Sequence, residues 1–146
     1  MNNLALIIAI GLLGGIAVGL QGPLASTINQ RLGILESVFI VHLGGLIAMG
    51  LPLLLMGGGR LGEWQTVPPY TLTAGLLGVV AVGSTVLMIP RIGVATAIVL
   101  IITGQLLIAA AIDHFGIFGV ISKPISLHRV AGLGLVMLGA WWALRH

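Results

Sequence analysis

Eight neutral polar side chains interrupt long apolar stretches of this 146-residue sequence: Gln21, Asn29, His42, Ser84, Thr85, Thr96, Thr103 and Gln105. In hydrocarbon each such group needs a hydrogen-bond partner, so it marks either a contact between helices or a place where a polar ligand sits. Gln21, Asn29, His42, Ser84, Thr103 and Gln105 are the candidates to line a substrate-binding cavity. The amides of Gln21 and Gln105 carry both donors and acceptors, which one helix cannot easily satisfy. A Ser or Thr hydroxyl has a simpler alternative, the carbonyl one turn back. His42 is the only ionisable group well inside a stretch, and reads either as a neutral packing residue or as a proton carrier. The pair Asp113-His114 closes an apolar run and reads as a gate, a surface proton relay or a helix end among lipid headgroups.

Other chemistry is missing. The sequence has no Gly-rich phosphate loop, no H-E-x-x-H, no nucleophile elbow and no cluster of metal ligands. It contains no Cys. Neither an enzyme nor a bound metal or cofactor is expected.

The charges say what must hold these residues. Six Lys or Arg and three Asp or Glu make up 6% of the chain, whereas a soluble domain carries about 25%. With a mean hydropathy of +1.21, the chain cannot coat itself for water. The pI of 10.8 rests on a net charge of only +3 and makes no basic patch, so no nucleic-acid partner is expected. The chain reads as an all-α integral membrane protein whose surroundings are the lipid bilayer.

Uncharged stretches run over Met1–Gln30, Ser37–Gly59, Trp64–Pro90, Ile92–Ile112 and Val130–Leu144. About 20 apolar residues cross a hydrocarbon core, and four stretches reach that length. The fifth does so once it is extended towards Ser126 and Arg129 and Arg145 snorkel. The expectation is one transmembrane domain over 1–146 with five spans, near 4–30, 37–57, 69–90, 93–112 and 127–144. Pro68-Pro69 opens the third span, Pro90 closes it, and Gly57-Gly58-Gly59 ends the second. Pro23 and Pro52 permit kinks in the first two. Met1-Asn2-Asn3 lacks the basic residues of a cleaved leader, so the first span is expected to be retained. The apolar residues between Asp113 and Arg129, such as Phe115 and Ile121, suggest a segment lying in the membrane interface.

Depth follows from the nearest boundary charge at about 1.5 Å per residue. Gln21 lies about 15 Å from Arg31, His42 about 9 Å from Glu36, and Ser84 about 10 Å from Arg91, all measured from one face. Gln105 falls near the midplane. The 23 glycines include Gly11, Gly15 and Gly19 at four-residue steps, a ridge suited to close helix packing or to the wall of a cavity.

Basic residues of short loops mark the cytoplasmic side. Five spans place Arg60, Lys123 and Arg129 on one face and Arg31, Arg91 and Arg145 on the other. The count is balanced. Either another feature orients the chain, or it inserts both ways and pairs as an antiparallel homodimer, ten spans in all.

Taken in order, Gln21-Gly22-Pro23 with Asn29-Gln30-Arg31-Leu32-Gly33, Pro90-Arg91-Ile92-Gly93, Gly104-Gln105, Asp113-His114-Phe115-Gly116 and Ser126-x-x-Arg129-x-x-Gly132 resemble the YdcZ-type family. Those are short members of the drug/metabolite transporter superfamily, and the resemblance covers nearly the whole chain. It implies a multi-pass protein of a bacterial inner membrane with a transporter-like fold, related to small multidrug exporters and to ten-helix metabolite exporters. The membrane-embedded glutamate of the small multidrug exporters is absent, so their exchange mechanism does not carry over. The resulting expectation is a small secondary transporter or exporter of a small organic molecule, working by alternating access in a dual-topology homodimer. A passive dual-topology channel and a non-transporting scaffold or accessory subunit are the alternatives.

Overall fold

A computed structural model describes residues 4–143 and Arg145. All regular structure among them is helical: α1 (Leu4–Leu32), α2 (Ile34–Leu55), α3 (Ala74–Ile92), α4 (Val94–Phe115) and α5 (Leu127–Ala143). Short 3-10 turns cover Leu61–Thr66, Pro69–Thr73 and Ile117–Gly119. Leu4–Leu32, Ile34–Leu55, Pro69–Ile92 and Val94–Phe115 are long and apolar enough to cross a membrane, with mean hydropathies of 2.1 to 2.3 in their most apolar windows. The family of folds is therefore a helical membrane protein with four such elements. The fifth helix, 17 residues long, extends about 25 Å.

Glycine decides where the helices break. Gly33 (φ 109°) alone separates α1 from α2, and Gly93 (φ 79°) alone separates α3 from α4. Both conformations lie where L side chains are strained. Gly57, Gly58 and Gly59 all have positive φ and stop α2. The prolines do less than the sequence suggests. Pro90 lies inside α3, which continues to Ile92, because a proline φ is helical and only one hydrogen bond is lost. Pro68-Pro69 leads first into a 3-10 turn, so α3 itself starts at Ala74. Within the loop before it, Arg60 Nη2 lies 2.5 Å from Glu63, whose carboxylate pushes the guanidinium pKa up.

The chain divides into two compact units at Pro90. The first contains α1, α2 and α3 up to that residue. Its buried residues are few, and small on α1: Gly22, Ala25 and Ser26 on α1, Ser37 and Val38 on α2, Val86 and Ile89 on α3. The second contains α4 and α5, with Ala97, Ala110 and Ala140 buried.

Candidate functional site

In the first unit α1 meets α3 at Gly22. A Cβ there would lie 3.0 Å from Thr85 Cγ2 and 3.1 Å from Ile89 Cδ1, so any larger residue would make those side chains give way. Three and four residues on, Ala25 and Ser26 continue the buried face. The carbonyl of Ala25 accepts a 2.6 Å hydrogen bond from Ser37 Oγ, which ties α2 to α1 one turn after Gly33. Ser37 is fully buried, and a donor at that depth requires such a partner. Ser26, 1% exposed, is different: its hydroxyl has no partner among the described residues.

His42 continues the seam one turn beyond Val38. Its Nδ1 lies 2.8 Å from the Val38 carbonyl. A carbonyl only accepts, so Nδ1 carries a proton in this contact and Nε2 is the nitrogen left free for another partner. That Nε2 faces α3, 3.3 Å from where a Cβ on Gly78 would be. The arrangement supplies a half-buried imidazole held by its own helix with one ring nitrogen turned to α3.

The remaining candidates divide between the units. Gln21 and Ser84 are exposed on the first unit and Asn29 is half-buried. The side chains of Gln21 and Asn29 make no hydrogen bond to any described residue. Gly11, Gly15 and Gly19 stand on the same side of α1 as Gly22 and Ser26, at steps of four and three. No heavy atom approaches within 4 Å of a Cβ at any of the three. The face is covered below Gly22 and open above it.

On α4, Thr103 spends its hydroxyl on the Val99 carbonyl at 2.7 Å, as Thr85 does on Ala81 at 2.8 Å. Gln105 is exposed, with no hydrogen bond among the described residues. Two residues along a helix are about 200° apart round its axis. Thr103 and Gln105 therefore point to opposite sides and cannot line one wall together. Asp113 and His114 lie in the last turn of α4, with Arg129 of α5 paired to the Asp113 carboxylate.

In the sequence Ser26 only continues the step of Gly11, Gly15 and Gly19 past Gly22, and Ser37 has no feature that singles it out. Nothing in their spacing distinguishes a hydroxyl that clamps two helices from one that has no partner. A surface cleft of about 530 Å³, lined by Arg60, Glu63, Trp64, Thr66 and the apolar Leu53, Leu61 and Val67, contains none of the candidates.

No curated protein and no solved structure matches the chain. A family model described as "Putative inner membrane exporter, YdcZ" matches residues 6–142, almost the full length. With four apolar helices and no charged side chain in the middle of any of them, the protein belongs to this YdcZ family of inner membrane exporters.

Proposed function

We propose that the protein is a small secondary transporter that exports a neutral or zwitterionic organic molecule across a bacterial inner membrane. Two antiparallel copies rock about a cavity between them. The observation that carries this reading is the set of unpartnered amides: Gln21, Asn29 and Gln105 stand on helices built for lipid, with no hydrogen bond among the described residues. In hydrocarbon such groups cost several kcal/mol each, about the cost of any unsatisfied polar group there, so a second copy or a cargo must meet them. The open glycine face of α1 offers the seat for that copy, since small residues let helices approach where lipid gives no hydrophobic drive.

The balanced loop charges favour insertion in both orientations, which would produce the inverted symmetry that many transporters have by gene duplication. A ten-span dimer also requires α5 to cross. Arg145 lies 3.8 Å over the Trp141 ring, an arrangement that lets the guanidinium reach the interface while the helix stays within the core.

Flux into proteoliposomes tests the proposal. The wild-type protein should move at least one member of a panel of neutral and zwitterionic solutes, and Gln21→Leu and Gln105→Leu should lower that rate at least tenfold. Reporters of both topologies at the C-terminus should both give signal. No flux across the panel, ion currents of channel size in planar bilayers, or reporter signal from one side alone would each overturn the corresponding part.

A further inference from the structure

The connection between α4 and α5 lands on two adjacent residues. The Lys123 backbone N–H donates to the Asp113 carbonyl at 2.7 Å. Ser122 Oγ donates to the His114 carbonyl at 3.0 Å. The Ile125 backbone N–H donates to His114 Nδ1 at 3.2 Å. The Arg129 guanidinium pairs with the Asp113 carboxylate. Asp113 and His114 are two of the last four residues of α4, whose carbonyls have no partner within the helix. The segment from Gly116 to Ser126 thus folds back as a strap that caps the helix it follows. Gly116, in the left-handed conformation, makes the reversal and returns its N–H to the Ile112 carbonyl.

One of these bonds depends on protonation. A backbone N–H can donate to an imidazole nitrogen only when that nitrogen is bare. His114 must therefore be neutral, with its proton on Nε2. A proton on Nδ1 would set two donors against each other and remove the bond. It would also add positive charge to a connection that contains Lys123 and enters α5 beside Arg129, with His128 as the other titratable group of that helix and Asp113 as the only Asp or Glu of the unit from Arg91 onward.

We propose that the Gly116–Ser126 strap is a pH-responsive latch on one face of the membrane, closed while His114 is neutral and released when it takes up a proton. The sign follows from the acceptor: closure belongs to the neutral ring, so it is lost as pH falls. Release frees Ile125 and with it the entry into α5, while the Lys123 and Ser122 bonds to backbone carbonyls carry no such dependence. The latch needs no particular cargo and does not rest on the transport reading.

The full chain in lipid nanodiscs tests it. The protein has no Cys, and Ile121 on the strap is 80% exposed, so Ile121→Cys takes a single nitroxide. The mobile fraction of its spectrum should rise at least threefold between pH 8 and pH 5. His114→Asn, whose Oδ1 stands where the ring Nδ1 does and can accept the Ile125 N–H at every pH, should stay immobile throughout. His128→Gln should respond as the parent does. A flat profile in the parent, or the same response in His114→Asn, would overturn the proposal. Nitrogen NMR of the His114 ring gives a check that needs no variant. At pH 8 it should show a bare Nδ1 and a protonated Nε2; the opposite tautomer would also overturn the latch.

Discussion

The α1–α2 hairpin turns on Gly33 alone and is closed by a buried hydroxyl, Ser37 on the Ala25 carbonyl, among Gly22, Ala25 and Ser26. The α4–α5 hairpin turns through an eleven-residue strap and is closed by the Asp113–Arg129 ion pair and by hydrogen bonds to the last turn of α4. Both solve the problem of joining two apolar helices. The first relies on contact between small residues, which salt and pH leave unchanged. The second relies on charge and exposed polar groups near water, which both conditions modulate. The two corners lie in different units of the chain.

The comparison breaks most visibly at Gly22. Gly22→Leu must displace Thr85 and Ile89, which lie at the contact limit already for a Cβ. A loss of about 1–3 kcal/mol is expected, as for other overpacked cores, and it should show as a lower midpoint of thermal unfolding in detergent. Gly15→Leu, on the same side of α1 but with nothing within 4 Å, should leave that midpoint unchanged and instead reduce dimer formed in crosslinking. Equal effects of the two variants would mean that the open and covered halves of α1 do not differ.

The second corner should yield to gentler means. Arg129→Gln removes the partner of Asp113, and both side chains are about one-third exposed. The cost is accordingly small, about 0.5–1 kcal/mol. Hydrogen exchange of the strap amides should quicken in this variant, and in the wild type when salt is raised to about 1 M, where the screening length shrinks to about 3 Å. Amides around residues 33–38 should exchange at the same rate throughout. A salt effect of equal size at both corners would show that the first is not closed by packing.

Much of the fold is legible in the sequence because charge is so sparse. Arg31 and Glu36 bracket the Gly33 corner, and Gly57-Gly58-Gly59 stands where α2 stops. Which side of a helix is covered is not legible. Both α1 and α2 are apolar all round, so no stripe of hydrophobicity points towards a neighbour. The choice of face rests on single atoms: the absent Cβ of Gly22 and the hydroxyl of Ser37. A one-dimensional pattern counts Gly22 as one glycine among 23. The amides of Gln21 and Gln105 stood out for the opposite reason, since their polarity conflicts with every residue around them.

The smallest expected effect has the opposite sign and bears most directly on the site. Ser26 and Ser37 are buried in the same seam, yet Ser37 holds a carbonyl and Ser26 holds nothing among the described residues. Ser37→Ala should therefore cost about 0.6–1 kcal/mol, in the range measured for hydrogen bonds between membrane helices. Ser26→Ala removes a hydroxyl that was already unpaired and should be neutral or stabilising by up to about 1 kcal/mol. Thermal unfolding of the two variants side by side decides it. If Ser26→Ala loses as much as Ser37→Ala, the Ser26 hydroxyl has a partner in the membrane, and this part of α1 carries a polar contact as well as a packing surface. If it gains stability while slowing flux, the unpaired hydroxyl is a cost of the packed state that another conformation relieves, which is what alternation between two states requires of a seam.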